Sequence, residues 1–326
     1  MVKYFCNGAN GLERKDTFTP KCWVDMVSPT DDEVEDVCKG TGVPEDMIKA
    51  ALDEEEMART EFDEGCSMFV VDCPIIEISD AGDSYSTLPL ALIYNKQCII
   101  TVCLKGNPVL KDFITGRTKV DCQMPLFFIL TFMMSNTKRF LYCLKQIDRR
   151  SQRVQTGLAN KLANDDILQL LELENSLVYF STSLNSNTKV HDKLAKVEAV
   201  AKYEEYQDLY DDLTIECNQA NEMCKIYKDT LSVTMDAYGS VISNNANESM
   251  KKLTIVTVLL AIPTMIAGFW GMNMPVPFEK LSGELWFWIV VIGSFLITGG
   301  IGLIIFKGNF AKKNKPKRQR KNRKKK

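Results

Sequence analysis

The sequence predicts an α+β membrane protein in which an N-terminal cytoplasmic α/β/α domain is followed by a very long stalk helix that continues into the first of two C-terminal transmembrane helices. Three observations support this fold class. Short apolar runs alternate with polar helical segments up to about residue 120, a helical pattern persists from about residue 124, and two long uncharged apolar segments lie near the C-terminus. The first pattern predicts the α/β/α domain, the second predicts the helices that include the stalk, and the third predicts the two transmembrane helices.

The N-terminal part contains three candidate strands, at residues 68–71, 90–93 and 99–102. A candidate helix covers residues 30–39, where Thr30 is the expected N-cap and Glu33, three residues later, completes a capping box. Strands that alternate with helices predict a mixed α/β domain. We assign residues 1–188 to this domain and the helices that follow it.

A stalk helix is predicted next, because residues 189–270 contain no proline before Pro263 and few glycines. Gly239 is a modest weak point in this helix. Residues 189–252 form the expected stalk, which we expect to pack against neighbouring helices.

Two transmembrane helices are predicted at residues 253–273 and 285–306, with an external loop at 274–284 between them. The second segment has 22 residues without a charge. It would span roughly 33 Å, against a hydrocarbon core of about 30 Å. The basic tail at 307–326 completes the chain.

The distribution of basic residues predicts the orientation of the spans. Lys251 and Lys252 precede the first span, and the tail carries 12 of the 40 Lys and Arg residues, whereas the loop holds Lys280 and two glutamates. The positive-inside rule therefore places both termini in the cytoplasm. The tail could also bind nucleic acid, but an anchor at acidic lipid headgroups is the favoured interpretation, so we expect no nucleic-acid partner.

Cysteine usage indicates the redox compartment, and histidine usage argues against an enzyme. The eleven cysteines are scattered without CxxC pairs, which favours a reduced cytosolic compartment over a disulfide framework. His191 is the only histidine, so most histidine-based catalysis and zinc binding lacks its usual residue. No GxxxxGK loop for ATP binding is present either.

A stripe of small and polar residues recurs with a 3.5-residue period along the first span. Its two interleaved series, each with a spacing of seven, are Met250, Thr257, Thr264 and Gly271, and Thr254, Ala261 and Gly268. One interpretation is a pore-facing surface. The other is a tight helix–helix contact, because small residues also favour close packing in membranes.

The order of residues around this stripe resembles the CorA family of magnesium transporters. The resemblance rests on the run Asn-Glu-Ser-Met-Lys-Lys-Leu-Thr at 247–254, on Pro263-Thr264, on Gly268, and on Gly271-Met272-Asn273 at the end of the first span, with a second span about a dozen residues later. It is close over about residues 205–275 and loose in the N-terminal domain.

This resemblance implies a homopentamer whose first spans surround a central pore, with the selectivity filter Gly271, Met272 and Asn273 at its outer mouth. Neutral oxygen acceptors of these residues would bind the water shell of Mg²⁺, which gives up its water reluctantly. A helix C-cap is the alternative role for the glycine and asparagine. The implied pore-lining and gate residues are Asp236, Asn247, Met250, Leu253, Thr257, Ala261, Thr264 and Gly268.

The resemblance also implies that Mg²⁺ acts as a regulator, which binds between cytoplasmic domains and holds the pore shut. Asp208 and Asp211 on the stalk are the candidate ligands, because the stalk lies next to neighbouring subunits. An ordinary solvated helix face is the alternative for both residues.

The expected function is a homopentameric divalent-cation channel in the plasma membrane, which mediates uptake of magnesium, and of cobalt or nickel, driven by the membrane potential. Its partners are the lipid bilayer, further copies of the chain and divalent cations. A zinc transporter of the same superfamily is one alternative, although those members tend to depart from Met in the tripeptide and Met272 is intact. A non-transporting, membrane-anchored helical scaffold is the other.

Overall fold

The computed structural model describes residues 1–8, 11–63, 65–79, 82–158, 164–272 and 283–313. The chain divides into two compact units, residues 1–236 and 237–326.

A mixed seven-stranded sheet forms the centre of the first unit. Its strands are β1 (Val2–Gly8), β2 (Gly11–Lys15), β3 (Cys22–Val27), β4 (Arg59–Asp63), β5 (Cys66–Ser79), β6 (Gly82–Tyr94) and β7 (Cys98–Cys103). The strand order is β2-β1-β3-β7-β6-β5-β4. Only the central pair β3–β7 is parallel, since the other neighbouring pairs run antiparallel. The three predicted strands lie inside β5, β6 and β7 and are confirmed.

Strands β5 and β6 extend well beyond the predicted segments, through Pro74 and Pro89. The pairing of β6 with β7 begins at Leu90, and the pairing of β5 with β4 ends at Val70. Beyond these points each strand pairs with one other strand among the described residues, and the unpaired side of β5 is hydrogen-bonded at Asp72 by the Asn187 side chain. A proline, which lacks an N–H donor, is accommodated on such an unpaired side.

Two short helices, α1 (Asp31–Thr41) and α2 (Glu45–Ala50), cover one face of the sheet. The Thr30 side chain accepts a hydrogen bond from the Glu33 N–H, and the Glu33 side chain accepts one from the Thr30 N–H. The predicted capping box is therefore confirmed. The apolar side of α1, with Val34 and Val37, is buried against the strands.

Three further helices, α3 (Pro108–Ile114), α4 (Pro125–Leu158) and α5 (Asn164–Leu194), contribute to the core on the opposite face. Trp23 is fully buried there. Its ring centroid lies 5.0 Å from that of Phe5 and 5.2 Å from that of Phe128. With a helical layer on each side of the sheet, the predicted α/β/α arrangement is confirmed.

The sequence predicted that the stalk helix begins at residue 189, and this start is wrong. Residues 189–194 end α5, a short helix α6 (Glu198–Lys202) follows, and the long helix α7 spans Glu204–Trp270. The interruption buries Leu194 and Val200 in the core. Because it contains neither glycine nor proline, tertiary packing overrides the local helical pattern there.

The second unit contains the remainder of α7 and the helix α8 (Gly283–Lys313). Both helices are long and apolar enough to cross a membrane. Their large apolar side chains are mostly exposed, including Leu260 at 66%, Phe295 at 67% and Leu303 at 71%. A soluble protein rarely exposes an apolar surface of this size, whereas a bilayer would cover it. The predicted second span lies within α8, and most of the first lies within α7.

Candidate functional site

The predicted stripe lies on the uncovered face of α7 within the second unit. Thr257, Ala261, Thr264 and Gly268 are all exposed, whereas Leu259 and Ile262, which alternate with them around the helix, are partly covered. Residues two apart on an α-helix differ by about 200° in direction. These four stripe residues and the covered side therefore lie on opposite faces of α7, whereas Gly271, the last member of the stripe, lines a cleft between α7 and α8.

The covered face of α7 packs against α8. A Cβ atom added to Gly302 of α8 would lie 3.6 Å from Cδ2 of Leu259. A cleft of about 320 Å³ follows further along the same two helices, and its lining includes Pro263, Ile266 and Phe295. Sequence reasoning missed this packing surface, although the small residues near Gly302 are a known signal of close helix approach.

Three threonine hydroxyls of the exposed face share one hydrogen-bond arrangement. The hydroxyl groups of Thr254, Thr257 and Thr264 each donate to the carbonyl oxygen four residues earlier, at 2.9 Å. Each proton is thereby used within the helix. Each hydroxyl oxygen keeps acceptor capacity for a donor outside α7.

Met250 and Leu253 stand at the other end of this face, exposed at 63% and 61%. Apolar side chains at a constriction can gate a channel by excluding water. Asn247 is exposed as well. Asp236 is exposed but is the last residue of the first unit, so its place in a common pathway stays a prediction.

The predicted filter begins where α7 ends. The N–H of Gly271 donates to the carbonyl of Ala267 at 3.0 Å, and the N–H of Met272 donates to that of Phe269 at 3.5 Å. Gly271 thus completes the last turn of the helix, and Met272 is half exposed. Asn273 lies outside the described residues, so its role stays a prediction.

The predicted regulatory residues, Asp208 and Asp211, are both exposed on α7 in the first unit. They are three positions apart, which places them on the same side of a helix. The opposite side of this part of α7 is buried through Leu213 and Cys217. Among the described residues no group of three or more His, Cys, Asp or Glu side chains could hold a metal ion. The two aspartates therefore do not form a complete metal site within one chain.

An α/β/α domain followed by two exposed apolar helices, each long enough to cross a bilayer, is the arrangement of an integral membrane protein. The family model described as "CorA-like Mg2+ transporter protein" matches residues 21–313. The chain therefore belongs to the CorA-like Mg²⁺ transporter family, as the sequence resemblance indicated. Members of this family are transporters and not enzymes, so the expectation that the chain has no catalytic function is confirmed.

Two curated relatives and one solved structure show how far the similarity extends. The cobalt/magnesium transport protein CorA of Methanocaldococcus jannaschii is 24% identical over 274 residues, which cover 82% of this chain and 84% of the relative. The protein of the same name from Thermotoga maritima is 23% identical over 312 residues, covering 91% and 84%. The complete structure of the CorA magnesium transporter from M. jannaschii has a TM-score of 0.78 at 22% identity, covering 94% of this chain and 97% of that one.

Proposed function

We propose that the chain forms a homopentameric channel in the plasma membrane that conducts Mg²⁺, and also Co²⁺ and Ni²⁺, into the cytoplasm. Family membership supports a divalent-cation transporter. The relatives named for cobalt and magnesium transport support this choice of ions. In the proposed pentamer, five copies of the exposed α7 face surround a central pathway, and both termini of each chain are cytoplasmic.

The observation that carries the proposal is the set of threonine hydroxyls on the exposed face. Hydrated Mg²⁺ presents the hydrogen atoms of its water shell, which need acceptors. Thr257 and Thr264 supply such acceptors, because their own protons bind carbonyls of α7. Asn273 and the backbone carbonyls of Gly271 and Met272 would add further acceptors at the outer mouth.

Oxygen ligands also distinguish magnesium from zinc. Structural and catalytic zinc sites rely largely on cysteine and histidine. No cysteine or histidine occurs in residues 237–326, which contain the apolar part of α7 and all of α8. This composition favours the magnesium channel over the alternative zinc transporter.

The membrane potential can drive the proposed uptake. Moving a divalent cation inward across 100 mV is favourable by about 4.6 kcal/mol, twice the value for a single charge. Such transport needs no hydrolysis of ATP.

A flux experiment in proteoliposomes tests the ion and the pathway together. With an inward-negative potential, we expect Mg²⁺ and Co²⁺ uptake, with little uptake of Zn²⁺. Thr264→Val removes the acceptor and should reduce Mg²⁺ flux about tenfold, since a hydrogen bond to a charged group is worth about 1.5–3 kcal/mol. Thr298→Val is the matched control, because this hydroxyl on α8 makes the same backbone hydrogen bond, to Ser294. Equal losses of flux in both variants would contradict the proposed pathway.

Asn273→Ala tests the proposed filter. We expect this variant to lose Mg²⁺ uptake in a magnesium-auxotrophic host and to keep its oligomeric mass in detergent. Asn245→Ala, at an exposed position outside the spaced stripe, should keep normal uptake. If Asn273→Ala transports normally, the filter lies elsewhere, and a monomeric mass of the wild type would refute the pentamer.

Asp208 and Asp211 are proposed to bind regulatory Mg²⁺ together with groups from a neighbouring subunit. Two carboxylates cannot complete the coordination of Mg²⁺, which has six ligands, so waters or a second copy must contribute. The double variant Asp208→Asn/Asp211→Asn should keep its flux when Mg²⁺ is present on the cytoplasmic side, whereas wild type and the exposed-site control Asp229→Asn should be inhibited. Normal inhibition of the double variant would move the sensor to other residues.

A further inference from the structure

Two cysteines face each other across the antiparallel strands β1 and β3. The register ends with the pair Phe5 and Trp23, and Cys6 and Cys22 are the next residues along the two strands. Opposite residues of an antiparallel pair project from the same face of the sheet. The two thiols therefore lie on the same side, where Cys22 is part of the buried core and Cys6 packs against that core.

The hydrogen bonds at the other end of the β1–β3 pair show which opposite residues form hydrogen-bonded pairs. The Val27 N–H donates to the Met1 carbonyl at 3.1 Å, and the Met1 amino group donates to the Val27 carbonyl at 3.0 Å. Met1 and Val27 are thus a hydrogen-bonded pair. Since the two kinds of pair alternate along an antiparallel ladder, Phe5 and Trp23 are a hydrogen-bonded pair, and Cys6 and Cys22 take the next, non-hydrogen-bonded position, where the ideal Cα separation is about 4.5 Å. Disulfides span Cα separations of about 4.4–6.8 Å, a range that includes this ideal value.

Exposure differs between the two thiols in a way that assigns their roles. Cys22 is fully buried, whereas Cys6 is partly exposed, and its Sγ lies 3.1 Å from the Thr19 hydroxyl. Burial also raises the pKa of the Cys22 thiol, which disfavours its thiolate. An oxidant from solution therefore reaches Cys6 first, and Cys22 is placed to resolve the product.

We propose that Cys6 and Cys22 form an oxidation site that reacts with small peroxides and closes reversibly into a cross-strand disulfide. The Cys6 thiolate attacks one peroxide oxygen, the O–O bond breaks, and Cys6 becomes a sulfenic acid while the other oxygen leaves as water after taking up a proton. The Cys22 sulfur then attacks the Cys6 sulfur. The S–O bond breaks, the S–S bond forms, and the released hydroxide leaves as water with the Cys22 proton. In total two thiols are oxidised by two electrons and one peroxide is reduced to water.

Two other cysteines define the alternatives. Cys98 of β7 lies opposite Cys22 on its other side, but it is buried and cannot meet the oxidant first. Cys38 of α1 is the other partly exposed cysteine, and the charged groups near its thiol are Glu45, Lys49 and Glu35. It provides a matched control for exposure without a thiol directly opposite.

The test is treatment of the full-length protein in detergent with hydrogen peroxide, followed by thiol counting and mass spectrometry of its peptides. We expect the thiol count to fall from eleven to nine, with one linked peptide that joins Cys6 to Cys22, and full recovery with dithiothreitol. The Cys38→Ser variant should still lose two thiols by this reaction. The Cys6→Ser variant should form no linked peptide and lose no pair of thiols.

Three results would overturn the proposal. They are a link from Cys22 to Cys98, a Cys6 link between two chains, and oxidation of Cys6 beyond the sulfenic acid without any link. Urea denaturation of Cys6→Ser checks that the variant is folded. If it is not, Cys6→Ala replaces it, with the same expectation.

Discussion

The single histidine gives the first unit a defined sensitivity to acid. His191 of α5 is buried, and its Nδ1 lies 3.0 Å from Sγ of Cys217 in α7. That sulfur lies 3.3 Å from Oγ1 of Thr137 in α4, so the three helices meet at this point. Burial lowers the pKa of His191 from 6.5 to about 4 and leaves the ring neutral at pH 7.

The lowered pKa of His191 determines the direction and the size of the change in the free energy of unfolding as the pH falls. Between pH 6.5 and 4 the unfolded chain binds a proton at this histidine and the folded chain does not. The stabilisation from the neutral ring is therefore complete above pH 6.5 and declines as the pH falls towards 4. A difference of about 2.5 pKa units corresponds to roughly 3 kcal/mol in the free energy of unfolding, of which about 2 kcal/mol is lost by pH 5.

Urea denaturation of the detergent-solubilised protein at pH 7 and pH 5, followed by circular dichroism, measures this loss. We expect wild type to lose about 2 kcal/mol more than His191→Gln over this interval. Asp25 and Asp72, whose pKa values are raised by burial, act in the opposite direction but are present in both proteins, so their effect cancels.

Cys217→Ala is the control, because it removes the sulfur and keeps the buried ring. It should be less stable than wild type at both pH values and should keep the same loss between them. Equal losses of free energy in His191→Gln and wild type between pH 7 and pH 5 would show that protonation of His191 does not control the acid sensitivity of the first unit.

Two further predictions concern packing in each unit. Asn187→Ala should lower the free energy of unfolding by about 1–3 kcal/mol in urea denaturation, because the Asn187 amide accepts from the Asp72 N–H at 2.8 Å and donates to its carbonyl at 2.9 Å. An unchanged midpoint would show that water replaces the amide. Gly302→Leu should lower the thermal stability of the second unit in detergent, because a Cβ at Gly302 would already contact Leu259 at 3.6 Å and the larger side chain must displace it, whereas Gly299→Leu faces open space and should be tolerated. Equal losses for the two glycines would argue against close approach at Gly302.

Local signals predicted those parts of the fold whose structure depends on local interactions. The capping box at Thr30 and Glu33 satisfies backbone N–H groups within four residues, and it forms as predicted. The apolar cores of β5, β6 and β7 are likewise continuous runs in the sequence. The two apolar helices needed only length and the absence of charge.

The predicted start of the stalk helix and the predicted length of β5 differ from the structure because both depend on contacts between residues distant in sequence. The break between α5 and α7 has no glycine or proline, and it forms because Leu194 and Val200 are buried among residues far away in the sequence. The extension of β5 through Pro74 depends on which partner strands have already ended, and spacing along one segment does not contain that information.

The spacing of the stripe on α7 is compatible with two interpretations, a pore-facing surface and a tight helix–helix contact. Helix α8 packs on the side of Leu259, so Ala261 and Gly268 do not serve the contact between the two helices of one chain, whereas Gly271 lines the cleft between them. Gly268 in particular has open space where a Cβ would lie. If close packing explains Gly268, its partner is therefore a helix other than α8 of the same chain.

The orientation of the threonine hydroxyls supports an ion path, and not only helix packing, as the role of the exposed stripe. A threonine that packs against a neighbouring helix needs only its small size, whereas the proposed path also needs a free acceptor at each level. Thr257 and Thr264 lie seven residues apart, about two turns, and both direct their protons into the backbone of α7. In the proposed path, a cation with its water shell would meet acceptors at both levels, whereas an anion would find no hydroxyl proton to bind there. The stripe is therefore suited to cations by the direction of its hydrogen bonds, without requiring a charged residue at either level.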